Sequence, residues 1–293
     1  MIKNLMLFIY FNFFTLIILF AKERLPSYPF ISGDGFRCIA DHVLDEDHPY
    51  LDPDKIQNKD LIFVKTEFLG EFFSNYFKKI KYPFILITHN SDLPIPGNYQ
   101  NFLDSNKLIR WFGQNIEQVS HSKLEAIPIG ITNRYNKLGD IRVYEYFLYL
   151  SKKKREKEFL AFFSVTLGTC YEERVQAFNY FSNKDYCYTL KKPTYPRQFF
   201  KNLLKSHFII SPRGNGLDCH RTWEALYFGS IPVVKSSYID PLFEDLPVLI
   251  INDWSEINQN KLIDFLKKTK NKTYHYEKLF FPYWEEKIFK YKN

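Results

Sequence analysis

The chain has 293 residues, 45% of them hydrophobic, with 40 Lys and Arg against 33 Asp and Glu for a formal charge of +7. That length and apolar content suit one large or two smaller domains with their own cores, and two half-sized domains are expected. The 30 Phe and 21 Tyr come without any RNP-like or basic-region motif, so a nucleic-acid partner is not expected, and the mild positive charge fits an anionic ligand or a membrane face.

At the N-terminus, Lys3 precedes a mostly apolar run from Leu5 to Ala21, followed by "KER". Its length lies between that of a signal-peptide core and a short membrane span, and Leu19 stands where cleavage prefers a small residue. Residues 1–21 are therefore expected to be a retained signal-anchor or a signal peptide. The protein would be membrane-associated: in the secretory pathway as a Golgi-like, single-pass type II protein if eukaryotic, in the inner membrane or exported if bacterial.

Beyond this segment, "LPSYPFISGDGFRCIADHVLDE" predicts a loop and a short helix. "DLIFVKT" and "PFILITHNSD" predict buried strands, "EFLGEFFSNYFKKI" between them has helical spacing, and "KLIRWFGQN" and "KLEAIPIGIT" are further short apolar runs. The lysine-rich "SKKKREKE", Ser151–Glu158, marks a domain boundary. The second half repeats the alternation: strand "FLAFFSV", helix "CYEERVQAFNYF", strand "YCYTL", helix "YPRQFFKNLLKSH", strand "FIIS", a glycine loop, helix "CHRTWEALYF", strands "IPVV" and "PVLII", and helix "SEINQNKLIDFLKK". The order predicts an α/β protein with parallel sheets. The expected division is 22–155 for an N-terminal Rossmann-like domain, 156–275 for a C-terminal Rossmann-like domain, and 276–293 for a helix returning to the first.

Cys38, Cys170, Cys187 and Cys219 form no CxxC pair and have no His at zinc-ligand spacing, so no metal site is expected. In an oxidising compartment Cys170 and Cys187 are candidates for a bridge, and "NKT" at Asn271 is a glycosylation sequon.

The strongest signal is "HFIISPRGNGLDCHRTWEALYFGSIPVV", His207–Val234: a strand, a glycine turn with Arg, Asp and His, a helix and a second strand. Polar residues gathered where a parallel strand hands over to its helix sit where such sheets bind ligands. Gly214 and Gly216 allow backbone approach, and the helix start favours an anion. The run fits neither GxGxxG, since Cys219 stands at the third glycine, nor a P-loop. Arg221 and Glu224, three apart, share a helix face; the arginine fork suits pyrophosphate and the carboxylate suits ribose hydroxyls. Arg213, Asn215 and His220 complete this anion-binding grouping.

The segment "SPRGNGLDCHRTWEALYFGSIPVV", with "PLF" and "NDW" following, resembles the C-terminal signature of exostosin-like glycosyltransferases over Ile210–Trp254. That resemblance implies a GT-B architecture, two Rossmann-like domains facing a cleft, and a nucleotide-sugar donor, most often UDP-linked, with metal-independent inversion at the anomeric carbon. On this chain Arg213 and Arg221 would hold the diphosphate, Glu224 the ribose, and the Gly214–Gly216 backbone the β-phosphate. The compact length favours transfer of a single sugar to a glycan or glycoprotein hydroxyl, without a cofactor. Such a reaction needs a general base. Asp92 and His89 in "THNSD", next to Asn90, and Asp34 in "SGDGF" are the candidates, with Asp41 and His42 behind them; Gly130 and Arg134 of "IPIGITNR" also end a strand. A GDP-sugar transferase of fucosyltransferase type and an inactive glycan-binding protein that keeps the fold are the alternatives.

Overall fold

A computed structural model describes residues 24–153, 156–190, 192 and 194–292. The expected anchor, residues 1–21, lies outside the described residues. Among those described, no helix is long and apolar enough to cross a membrane.

Two five-stranded parallel sheets organise the molecule. The first holds β1 (His42–Leu44), β2 (Leu61–Lys65), β3 (Phe84–His89), β4 (Leu108–Gly113) and β5 (Leu124–Ala126), lying side by side in chain order. The second holds β6 (Phe159–Phe163), β7 (Cys187–Thr189), β8 (Ser206–Ile210), β9 (Ile231–Lys235) and β10 (Leu249–Ile251) in the spatial order β10-β9-β8-β6-β7. Helices α1 (Gly33–Cys38), α2 (Ile141–Ser151), α3 (Tyr171–Phe181), α4 (Pro196–Leu204), α5 (His220–Tyr227), α6 (Gln259–Thr269) and α7 (Phe281–Phe289) accompany them.

The strands are continuous apolar runs because both faces of each sheet are covered. Successive side chains take opposite faces. In the first sheet Phe63, Ile87 and Phe112 point inward, while Ile62, Val64, Leu86 and Trp111 pack under a helical segment that passes from a tight turn at Thr66–Phe68 into a wide one at Phe72–Tyr76. In the second, Phe162, Ile209 and Val234 point inward, and Phe163, Phe208, Ile210 and Val233 pack on the opposite face. The two inward faces belong to one continuous apolar cluster with Phe36, Trp223, Tyr227 and Phe281. An interface of this kind resembles a domain core and joins the halves firmly.

The chain then crosses back. Phe281 donates its N–H to Pro29 at 2.9 Å and packs edge-on against Phe36 of α1. Lys287 of α7 pairs with Glu125 of β5, and Tyr227 bridges the halves by accepting from the Ile31 N–H and donating to the Leu279 carbonyl.

Three features differ from the sequence expectations. Strand β1 lies within the stretch expected to be only loop and short helix. Helix α2, capped by Asp140 and burying Tyr144 and Phe147, was not anticipated ahead of "SKKKREKE", which lies between α2 and β6. Cys170 and Cys187 are both free thiols: Cys170 precedes the start of α3 whereas Cys187 opens β7 beyond the other end of that helix. The chain also contains two Asp-x-Asp pairs, Asp45/Asp47 and Asp52/Asp54, that bear on the expectation of metal independence; Asp45 is buried between Arg24 and Arg37. The Asn271 sequon is exposed.

Candidate active site

In the second sheet the strand order reverses between β6 and β8, so the loops leaving their carboxyl ends turn to opposite sides. A crevice forms at such a switch point. Here it is a cavity of about 460 Å³, lined by Ser164 and Thr166 after β6, by Gly214, Asn215 and Gly216 after β8, and by His220, Arg221 and Glu224 of α5. Val165, Pro196 and Phe199 supply an apolar wall.

The first turn of α5 brings its unpaired N–H groups to this crevice, where Arg221 projects while its guanidinium also donates to the Pro212 carbonyl at 3.3 Å. Beside it stands Arg174 of α3, only 6% exposed, which donates to the carbonyls of Arg213 at 2.9 Å and Thr166 at 2.8 Å. Neither arginine forms an ion pair among the described residues, although the Glu224 charge acts on Arg221. Burial lowers the Arg221 pKa, and the nearby Arg174 charge lowers it further. Two neighbouring cations that repel each other at a helix N-terminus, Arg174 buried and Arg221 half-buried, form a site whose charge an anion would relieve.

Glu224, 9% exposed, accepts a 2.9 Å hydrogen bond from Tyr144 of α2. Burial raises its pKa to about 7 against the opposing effects of Tyr144 and Arg221, and the Tyr144 phenol is pushed well above its ordinary value, by burial first and by the Glu224 charge second.

Arg213, expected at the diphosphate, is turned elsewhere: it lies 3.6 Å from Glu117 of the first half and donates to the Asn215 carbonyl. It does not line the crevice. Gly216 serves packing, since a Cβ there would come within 2.5 Å of Asn115 Nδ2. Asn115 itself donates to the Ser91 carbonyl and accepts from the Asp218 N–H, and Asp218 in turn accepts from the Ile129 N–H at 2.7 Å and from Trp223 Nε1 at 2.9 Å. These bonds clamp the glycine loop to the first sheet; burial raises the Asp218 pKa to about 6.

A second cavity, of about 450 Å³, opens at the carboxyl ends of β3 and β4. It is lined largely by polar side chains, including Glu67, Asn90, Ser91, Gln114, Asn133 and Asn136. Asp92, Ile129, Thr132 and His220 line both cavities and form their common wall.

Of the three expected bases, Asp92 stands on this wall, exposed, and accepts from Asn215 Nδ2 at 3.3 Å across the junction. His89 is 1% exposed with both ring nitrogens occupied, Nε2 on the Pro128 carbonyl at 3.0 Å and Nδ1 on the Asn90 N–H at 2.7 Å; burial lowers its pKa to about 4. That leaves it no lone pair to offer a substrate. Asp34 is fully buried behind Asn90, which donates to it at 3.1 Å, lies 3.7 Å from Arg24, and lines neither cavity. Asp41 and His42 stand at the amino end of β1, bonded to Lys292 and Asp60, and Arg134 is exposed. Among the described residues no group of three His, Cys, Asp or Glu side chains converges as metal ligands, and neither Asp-x-Asp pair lines either of these two cavities.

Arg174, Tyr144, Asn115, Asp218 and Gln114 were not singled out from sequence. Only Asp218 had a local signal, its place in the glycine loop.

Residues 167–285, less than half of the chain, match the family model of the RXYLT1 C-terminal domain, an exostosin-family domain. The matched span includes β7 to β10, α3, α5 and hence Arg174, Arg221 and Glu224. None of the curated proteins matches the chain.

Proposed function

We propose that the protein is an inverting glycosyltransferase of GT-B arrangement, moving a single sugar from a UDP-linked donor to a glycan or glycoconjugate hydroxyl. The observation that carries this reading is the pair Arg174, buried, and Arg221, half-buried, neither in an ion pair among the described residues, at the α5 N-terminus in the switch-point crevice. The likeness of residues 167–285 to an exostosin-family domain supports the same assignment.

In this reading the two guanidinium groups and the α5 N–H groups hold the diphosphate. Charge builds on that leaving group as the anomeric carbon–oxygen bond breaks, so fixed positive charge there stabilises the transition state more than the ground state. Glu224, fixed by Tyr144, accepts from the ribose hydroxyls, and the apolar wall takes the base. The acceptor enters from the first half, and residues 1–21 anchor the chain at a membrane.

Calorimetry with UDP and GDP, followed by hydrolysis of UDP- and GDP-sugars, tests the proposal. UDP binding that competes with inorganic pyrophosphate and one hydrolysed UDP-sugar are expected. Preference for GDP would redirect the assignment to a fucosyltransferase-type donor, and binding of neither nucleotide would remove the transferase reading.

A further inference from the structure

The wall between the two cavities carries two titratable side chains, Asp92 and His220, and the structure treats them differently. Asp92 is exposed on the loop after β3. His220 is the first residue of α5, and its Nδ1 lies 2.8 Å from the Gly130 carbonyl. A carbonyl only accepts, so Nδ1 carries the proton and Nε2 keeps its lone pair. That carbonyl is itself fixed, since Gly130 has φ of +64° and a Cβ there would come within 2.2 Å of the Ile31 carbonyl oxygen. Nε2 has no hydrogen-bond partner among the described residues. On the first-sheet side, Gln114 is 2% exposed, lines the cavity, and its Oε1 is a buried acceptor with no hydrogen-bond partner among the described residues. A buried acceptor of this kind is satisfied by a ligand hydroxyl or by water.

We infer that His220 Nε2 is the general base of transfer, acting on an acceptor hydroxyl that enters from the cavity containing Gln114. The inference rests on the glycosyltransferase reading above. In the step, the acceptor oxygen forms a bond to the anomeric carbon and its proton passes to Nε2. The bond from that carbon to the diphosphate oxygen breaks with its electron pair leaving on the diphosphate, and the imidazolium returns its proton to solvent. Burial holds the His220 pKa below its ordinary value, so the ring is neutral before the step, while Asp92 opposes that effect and favours the imidazolium as it forms. Other charged groups bordering the donor crevice are Arg174, Arg221, Glu224 and the buried Asp218.

The decisive variant is His220→Asn, whose amide N–H can replace the Nδ1 bond to Gly130 while the basic nitrogen is lost. His220→Gln is measured alongside and held to the same outcomes in case the first does not fold. UDP affinity is measured by calorimetry, together with hydrolysis of UDP-glucose, UDP-galactose, UDP-N-acetylglucosamine and UDP-xylose, and with reaction of the hydrolysed donor with azide. Azide is an anion and attacks without giving up a proton. The assignment expects UDP affinity within twofold of wild type, hydrolysis reduced about 100-fold or more, and glycosyl azide formation within threefold of wild type. Hydrolysis at the wild-type rate overturns it. A tenfold loss of UDP affinity overturns it by placing His220 on the diphosphate, and equal loss of the azide reaction overturns it by showing a structural role. A wild-type protein that binds no UDP, or hydrolyses none of the four donors, overturns the transferase reading and this assignment together.

Discussion

The first sheet runs through space in the order of its sequence, whereas the second reverses once, between β6 and β8. Both open a cavity of similar size at their strand ends, yet the contents differ: two neighbouring arginines and a helix start in the second, mainly amides and hydroxyls in the first. Strand order decides which cavity gathers charge. At the reversal, α3 and α5 flank the same gap from different loops, and each contributes an arginine. Without a reversal, no such pair of helices converges on the first sheet among the described residues, and beside Glu67 and Asp92 its cavity presents mainly neutral polar side chains suited to hydroxyl groups.

The sharpest way to break this contrast is to remove charge from one side and polarity from the other. Arg174→Ala and Arg221→Ala should each weaken UDP binding by about 1.5–3 kcal/mol, or roughly ten- to 150-fold, as loss of a charge-assisted bond does. Gln114→Leu should leave UDP affinity within about twofold. Calorimetry showing equal losses on both sides would erase the distinction between the cavities.

A second perturbation acts where the sheets are clamped. Gly216→Ala would drive a methyl into Asn115, whose amide is held at both ends, and should cost about 1–3 kcal/mol of stability through overpacking. Asn115→Ala should cost a similar amount by leaving the Asp218 N–H and Ser91 carbonyl unpaired. Chemical denaturation measures both, and unchanged midpoints would mean that the halves are not held there.

Proton linkage also acts on the donor side of the molecule. With its pKa raised to about 7 from an ordinary 4.5, folded Glu224 keeps a proton that the unfolded chain has released over that window. Its burial therefore costs more stability as pH rises from about 4.5 to 7. The wild-type Tm minus the Glu224→Gln Tm should fall between pH 5 and 8. His89 acts in the opposite sense, from about pH 4 to 6.5, but is common to both proteins and cancels in the difference. A pH-independent difference would show that Glu224 ionises freely.

The smallest effects are expected from Arg213→Ala, below about threefold in UDP affinity, since that side chain faces Glu117, and from EDTA, which should change transfer by less than about twofold. Loss of transfer in EDTA, restored by manganese, would show that the arginine pair does not replace a metal.

How far the site could be read from sequence followed from how local each part is. The strand, glycine loop, helix and strand of His207–Val234 are contiguous, so Arg221 and Glu224 were legible as one helix face. Arg174 was not, because it lies 39 residues before Arg213 and reaches the crevice only through the strand order. Arg213 was misplaced because adjacency to the loop does not fix side-chain direction, and Glu117, from the other half, draws it away. His89 stands at the strand end where it was expected, but the Pro128 carbonyl and the Asn90 N–H occupy both its nitrogens. The alternation of strands and helices gave the α/β class; β1, three residues long, and α2, which reads as aromatic as a strand, did not announce themselves.

The return of α7 to the first sheet has a consequence for biosynthesis. Phe281 covers Phe36, and the Pro29 carbonyl waits for the Phe281 N–H, so the layer begun by residues 24–153 is sealed by a segment translated only after every strand of the second sheet. During synthesis the early half must therefore expose Phe30 and Phe36 while the later half emerges. The ribosome cannot deliver the two halves as finished units one after the other, and maturation becomes a single closing event that fastens both.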